Sequence, residues 1–110
     1  MSKLRRYMKG EIIAQEGERA KSLFILVEGK IGIYKDERKI IEFAKEGTIV
    51  GEMSLILKSP RSATIKALED SSLLEVEGDI ETITRQYPEI SKKIIHSLAE
   101  RLSKITSEIH

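Results

Sequence analysis

The chain lacks cysteine altogether and has only two histidines among its 110 residues. Without cysteine it can form neither disulfides nor cysteine-ligated iron–sulfur centres. His96 and His110 both stand near the C-terminus, so they do not provide the cluster of histidines and carboxylates that a metal-dependent enzyme on a β architecture needs. No nucleophile–base pair and no Walker-type phosphate loop is evident either. We therefore expect no metal site, no catalytic residues and no enzymatic activity.

A strong net charge and long apolar runs are also missing. The formal net charge is +1, which gives no general attraction to nucleic acid or to a membrane surface. No apolar run approaches the ~20 residues of a membrane span, and the N-terminus has no signal-peptide core. We expect a soluble, cytoplasmic protein that neither inserts into membranes nor binds nucleic acid directly. Asparagine is absent while lysine, glutamate and isoleucine are plentiful, a bias that suggests a thermophilic source.

The first two thirds of the chain has the pattern of a mainly β protein with helices at its C-terminus. Short runs rich in Ile, Val, Phe and Tyr alternate with turns built on Gly, Asp and Glu. Many short antiparallel strands with regular turns predict an antiparallel β-roll or jelly roll, and the length fits one domain. The predicted strands are residues 11–15, 22–28, 30–35, 39–44, 62–68 and 72–76.

Residues 50–64 contain the groups needed to hold a phosphate ester. Gly51 lets a ligand approach the backbone closely, because glycine has no Cβ. Residues 52–57 predict one short helical turn that ends before Pro60, and the free N-terminal amides of such a turn attract anions. Arg61 has a planar guanidinium that suits two phosphate oxygens, and Ser62 offers a further donor.

Glu52 is the unexpected member of this segment, because a carboxylate beside a phosphate site repels the ligand. An ionised carboxylate only accepts hydrogen bonds, so its presence indicates a ligand that carries a free hydroxyl as well as a phosphate. A 3′,5′-cyclic nucleotide, with one phosphodiester and one free ribose hydroxyl at the 2′ position, has that combination. The alternative is a surface ion pair between Glu52 and Arg61, which would contribute little.

The order of these residues resembles a known family. The run Gly51-Glu52-x-Ser54-Leu55, followed by Pro60-Arg61-Ser62-Ala63-Thr64, is similar to the phosphate-binding cassette of cyclic nucleotide-binding domains. Such domains occur in the catabolite activator protein, in kinase regulatory subunits and in cyclic-nucleotide-gated channels. Glycines spaced between the apolar runs extend the resemblance from about residue 7 to the C-terminus.

The resemblance implies a role for each matched residue. Glu52 would take the ribose 2′-hydroxyl and Arg61 the cyclic phosphate, with backbone amides near residues 53–54 and at Ser62 completing the cradle. The ligand is expected to be cAMP, with cGMP as the alternative, because a cassette with serine at position 62 resembles the cassettes of bacterial cAMP receptors and channels. The implied ligand-binding set is Gly51, Glu52, Met53, Ser54, Arg61, Ser62 and Ala63.

After residue 77 the hydrophobic period changes from that of a strand to that of a helix. Asp79 is a suitable N-cap for a hinge helix over 78–86, and Pro88 opens a second helix over 88–110. With a β-roll over 7–77 these make one domain, 1–110. Apolar residues spaced by three and four predict a homodimer through the last helix. The alternative is that this helix packs on the β-roll of its own chain, and Ile94 is assigned to that packing. The seam consists of Ile95, Leu98, Leu102, Ile105 and Ile109.

In the family the same helix also covers the base. Leu102 and Ile105 are candidates for an apolar lid, and Thr106 for a polar contact with the purine. Thr106 stands about one residue out of register with the family, which is about 100° around a helix. A solvated polar position near the chain end is therefore an equally open interpretation of Thr106.

Together these features predict a regulatory sensor module in which a cyclic nucleotide moves the C-terminal helices. The alternatives are a degenerate domain that serves only as a dimerisation or interaction module, and the sensor fragment of a transcription regulator or ion channel. The helix that precedes the first strand in the family is expected to be missing or reduced to residues 1–6, whose basic residues are interpreted as a solvated tail. No output domain is expected after the last helix.

Overall fold

The computed structural model describes the backbone of residues 2–109 and the side chains of residues 2–103. Within this range eight strands and three helices follow one another. They are β1 (Ser2–Tyr7), β2 (Ile12–Ala14), β3 (Ser22–Glu28), β4 (Ile31–Lys35), β5 (Arg38–Phe43), β6 (Ile49–Val50), α1 (Glu52–Leu57), β7 (Thr64–Ala67), β8 (Ser71–Glu77), α2 (Ile80–Gln86) and α3 (Pro88–Ile109).

The strands form two four-stranded antiparallel sheets that together make the β-roll. The strand order is β1-β8-β3-β6 in one sheet and β2-β7-β4-β5 in the other. The predicted fold class is confirmed, and the ends of the predicted strands agree with the observed ones within two residues. β6 was not predicted, because two residues are too few to show a period.

The interpretation of residues 1–6 as a solvated tail is wrong, because Ser2–Tyr7 forms β1. This strand pairs with β8 along its whole length, from Ser2 opposite Val76 to Tyr7 opposite Ser71. Two ion pairs fix it to the sheet, between Arg5 Nε and Glu75 Oε1 at 3.0 Å and between Arg6 Nη1 and Glu28 Oε1 at 2.7 Å. A mostly exposed basic strand at a sheet edge carries no alternating pattern, so pairing with β8 rather than local sequence determines it.

Two apolar cores hold the elements together. The first contains residues from both sheets and fills the interior of the roll, and the second joins the outer face of the β1-β8-β3-β6 sheet to the three helices. β3 and β8 contribute to both cores, so they are apolar on both faces and show no clean alternation. The first core comprises Ala14, Phe24, Leu26, Ile31, Val50, Ile65 and Leu73, and the second Leu23, Ile49, Leu55, Val76, Ile83, Ile90 and Ile94.

The C-terminal helices are fixed by a cap and by burial. The Asp79 carboxylate accepts a hydrogen bond from the Thr82 amide at 2.8 Å, as predicted for an N-cap, and this bond holds the pKa of Asp79 below its ordinary value. Ile90 and Ile94 pack the first half of α3 against the sheet, which confirms the packing assigned to Ile94. The second half of the helix then continues past α1. Within residues 2–109 no helix is both long and apolar enough to cross a bilayer.

Candidate functional site

α1 has the bounds expected from the sequence, Glu52–Leu57, and it is preceded by a glycine that the geometry requires. Gly51 has φ 79°, in the left-handed region that favours glycine. A Cβ at this position would also lie 2.7 Å from Arg61 Nη1. The backbone of the helix N-terminus and the arginine side chain can therefore approach each other only because residue 51 has no side chain.

A cavity of about 280 Å³ opens between α1, the roll and α3, close to the smaller end of ligand-pocket sizes. The structure brings together in its lining all seven residues expected from the resemblance. These are Gly51, Glu52, Met53, Ser54, Arg61, Ser62 and Ala63; apolar residues of the roll, among them Ile33, Ile41 and Phe43, and Arg101 of α3 complete the wall.

A larger cavity, of about 740 Å³, lies on the other side of α1. Its lining includes Arg19, Lys21 and Lys58, and it shares only Ser54 with the smaller cavity. It contains neither Glu52 nor Arg61. We place the candidate site in the smaller cavity, because buried charges of opposite sign mark a site for a polar ligand more specifically than volume does.

Arg61 is buried, with 7% of its surface exposed. Nη1 donates to the Gly51 carbonyl at 2.8 Å and Nη2 donates to the Ser22 carbonyl at 2.7 Å, while the guanidinium carbon lies 5.5 Å from the centre of the Phe24 ring. Burial lowers the pKa of Arg61, and the nearby carboxylates of Glu75 and Glu18 act in the opposite direction. The guanidinium thus remains a cation whose two described hydrogen bonds go to neutral carbonyls.

Glu52 is more deeply buried, with 2% of its surface exposed. Its Oε1 accepts a hydrogen bond from Arg101 Nη2 at 2.8 Å, an ion pair between a side chain that is 3% exposed and one that is 46% exposed. The interpretation of Glu52 and Arg61 as a surface ion pair with each other is therefore wrong. The two groups are buried in one cavity and each has a different partner.

Arg101 lines this site but was not among the residues expected there from the sequence. The signal that could have found it is its spacing. Arg101 stands seven residues after Ile94, so it lies on nearly the same face of α3 as the residues that pack on the roll. Although 46% of its side chain is exposed, a cation on this packing face can pair with a buried anion, and Glu52 is that partner.

Of the residues suggested for the base, only Leu102 has a described side chain, and it does not line the cavity. Leu102 is 66% exposed and is not part of the lining, while the side chains of Ile105 and Thr106 lie outside the described residues. Ile33, Ile41 and Phe43 instead form an apolar wall on the β4–β5 side of the cavity. Alternation in these two strands could have indicated that wall. Within the described residues no group of three or more His, Cys, Asp and Glu is placed to hold a metal ion.

Comparison of the sequence with known proteins identifies a matching family and several relatives. A family model described as the cyclic nucleotide-binding domain matches residues 4–85. A cyclic nucleotide-gated potassium channel of Rhizobium etli is 33% identical over 84% of this chain and 26% of the channel. The cyclic AMP receptor protein of Thermus thermophilus is 27% identical over 96% of this chain.

Similarity of structure extends over almost the whole chain. The crystal structure of the Thermus thermophilus catabolite activator protein matches with a TM-score of 0.81 and 28% identity, over 98% of this chain and 53% of that one. The chain spans about half of the receptor protein, 51%, and about a quarter of the channel, 26%. The match of residues 4–85 covers most of the chain, and the chain belongs to the cyclic nucleotide-binding domain family.

Proposed function

We propose that this chain is a regulatory sensor that binds a cyclic nucleotide, cAMP in preference to cGMP, in the cavity beside α1. The observation that supports this most strongly is the burial of Glu52 and Arg61 in one cavity without a bond between them. Arg61 uses two of its five N–H donors on carbonyls, and Glu52 has a second carboxylate oxygen beside the one that binds Arg101. A fitting ligand offers an anionic oxygen to the first and a hydroxyl donor to the second.

A 3′,5′-cyclic nucleotide meets both requirements in one small molecule. Its phosphate would take the free donors of Arg61 and the amides at the start of α1, and its 2′-hydroxyl would donate to Glu52. The purine would lie against the apolar wall of Ile33, Ile41 and Phe43. At a few tenths of a kcal/mol per heavy atom, a nucleotide of this size reaches roughly micromolar affinity or better.

The preference for cAMP rests on Ser62 and on the relatives. Ser62 lines the cavity and resembles the serine of bacterial cAMP receptors, and the Thermus thermophilus relative is named a cyclic AMP receptor protein. A sensor of an intracellular second messenger works in the cytoplasm, which is the location we propose. The near-neutral formal charge of +1 supports a module that does not itself bind nucleic acid.

A degenerate domain that serves only for dimerisation is the competing function. Removing a carboxylate and a guanidinium from water costs several kcal/mol for each ion, and dimerisation alone gives no reason to bear that cost inside a cavity. The buried positions of Glu52 and Arg61 therefore favour a ligand-binding role.

Arg61→Ala should weaken cAMP binding by at least roughly thirty-fold, because a phosphodiester in a partly desolvated site loses its cation, a penalty of about 2–5 kcal/mol. Arg61→Lys should restore only part of the affinity, since a point charge does not reproduce the planar fork. Isothermal titration calorimetry with cAMP and cGMP at matched salt measures both effects. Arg38→Ala, at an exposed position of β5, is the control and should bind as the parent does. If Arg61→Ala bound cAMP as tightly as the parent, the proposed site would be wrong.

We further propose that Arg101 couples the nucleotide to the position of α3. Arg101 and the ribose hydroxyl use the same carboxylate, that of Glu52, and Arg101 is the residue of α3 that lines the cavity among the described residues. A ligand shifts the position of a helix only as far as its affinity differs between the two positions. The shared Glu52 carboxylate supplies such a difference in affinity. When Arg101 binds it, the carboxylate that the ribose hydroxyl meets carries a paired charge, and when the helix moves away that charge is unpaired.

Arg101→Gln should loosen the second half of α3, because it leaves the buried Glu52 carboxylate without its cation. Hydrogen exchange of the amides of residues 95–103 should be faster in the variant without ligand, and the slowing caused by cAMP in the parent should be smaller. Lys92→Gln removes an exposed cation from the same helix and should leave both quantities unchanged. An identical response to cAMP in the parent and in Arg101→Gln would contradict the coupling.

The exposed side of α3 supports the proposal of a homodimer. Ile95 and Leu102, seven residues apart on one face, are 65% and 66% exposed, whereas Ile90 and Ile94 on another face are buried. Leu98, expected in the seam, packs partly against the second core, so the exposed stripe is narrower than predicted. The side chains of Ile105 and Ile109 lie outside the described residues. A second copy of α3 would cover this stripe in a short coiled coil.

Leu102→Glu should convert the dimer to a monomer, because two carboxylates would face each other in an apolar seam. Sedimentation velocity measures the change, and β-rich circular dichroism should be retained, since Leu102 is exposed in the single chain. His96→Glu adds a carboxylate about 100° from Ile95 and about 120° from Leu102 around the same helix, and the variant should remain dimeric. A parent protein that sediments as a monomer at high micromolar concentration with cAMP present would refute the dimer.

A further inference from the structure

A continuous chain of hydrogen bonds runs from the edge of the β1-β8-β3-β6 sheet to α1. Arg5 Nε donates to Glu75 Oε1 at 3.0 Å, and Ser22 Oγ donates to Glu75 Oε2 at 2.7 Å. The carbonyl of the same serine accepts from Arg61 Nη2 at 2.7 Å, and Arg61 Nη1 donates to the Gly51 carbonyl at 2.8 Å. Three of the four links join residues at least 39 positions apart in sequence, so the complete chain exists only in the folded roll.

Glu75 joins Arg5 to Ser22 in this chain and is mostly shielded from water, with 17% of its side chain exposed. Both of its oxygens have partners, one on β1 and one on β3. It stands opposite Phe24 in the pairing of β3 with β8, and the Phe24 ring lies under the Arg61 guanidinium. Glu75 therefore lies beside the Phe24 ring that contacts the Arg61 guanidinium. Its negative charge favours the cationic form of Arg61 and so opposes the lowering of the pKa of that residue by burial.

An anion at this position has two opposite effects on an anionic ligand. Through space it repels the phosphate, so its removal alone would tighten binding. Through its bond to Ser22 it fixes the strand residue whose carbonyl holds one arm of the guanidinium. A largely shielded carboxylate with both oxygens bonded orders its donors more than a fully exposed one does.

We propose that Glu75 is a positioning residue for the phosphate site: it holds Ser22 in place, and through the Ser22 carbonyl it aims Arg61 at the ligand. This inference rests on the proposed role of Arg61 in binding the nucleotide. Because Arg5 completes the bonds of Glu75 from the edge strand, the affinity for nucleotide also depends on β1 being paired with β8.

The chain offers a matched control for this network. Glu28 accepts from Arg6 Nη1 at 2.7 Å and from Ser72 Oγ at 3.2 Å, so it also joins one arginine of β1 and one serine of the same sheet. None of its hydrogen bonds among the described residues leads to Arg61. A change at Glu28, which is more exposed than Glu75 (65% against 17%), therefore removes a carboxylate and an ion pair without the loss of positioning.

Glu75→Gln should weaken cAMP binding by about three- to ten-fold in calorimetry, while Glu28→Gln should change it less than two-fold. Arg5→Gln should weaken binding about two- to three-fold and Arg6→Gln should not, which keeps the proposal testable should Glu75→Gln fold poorly; thermal unfolding monitors each variant. In the Arg61→Lys background the effect of Glu75→Gln should fall below two-fold, because lysine does not form both carbonyl bonds.

Three results would overturn the proposal. Binding that is unchanged or tighter in Glu75→Gln, while Arg61→Ala loses affinity, would show that the charge acts through space only and would leave the proposed function intact. Equal losses in the Arg61 and Arg61→Lys backgrounds would show a general structural effect. An Arg61→Ala variant that binds as the parent does would overturn the proposed function and this inference with it.

Discussion

The site depends on one constraint: two side chains of opposite charge are buried in the same cavity and kept apart. If Glu52 and Arg61 paired with each other they would neutralise the site and leave little for a ligand. Instead Glu52 binds Arg101 and Arg61 binds two carbonyls. Burying an ion costs several kcal/mol, so each charge depends on the elements that carry its partners: α3 for Glu52, and β3 and the start of α1 for Arg61. Ligand recognition and the integrity of the fold therefore rest on the same contacts.

The carbonyl partners of Arg61 explain how the cavity keeps its charge. A carbonyl accepts hydrogen bonds without cancelling a full charge, so the cation stays available to an anion. One carbonyl belongs to Gly51 at the start of α1 and the other to Ser22 of β3. The arginine thus joins the helix to the sheet as well as facing the cavity, and glycine at position 51 is what permits this approach.

The sequence was sufficient for the local features of the site and insufficient for its distant partners. The bounds of α1 followed from Gly51 and Pro60, and the β-roll followed from the alternating runs, because these signals lie within a few residues of their effect. Arg101, 49 residues from Glu52, and Ser22, 39 residues from Arg61, are brought in by sheet pairing and helix docking. β1 was missed for the same reason, since its partner β8 lies at the other end of the roll.

The central claim is that buried Glu52 recognises the ribose hydroxyl of a cyclic nucleotide, and calorimetric titration with cAMP and 2′-deoxy-cAMP tests it most directly. A hydrogen bond to a charged group contributes about 1.5–3 kcal/mol, so the parent should bind cAMP at least roughly ten-fold more tightly than the deoxy form. In Glu52→Gln this ratio should shrink, because a neutral amide accepts more weakly. Equal affinity of the parent for the two nucleotides, or an unchanged ratio in Glu52→Gln, would contradict the account.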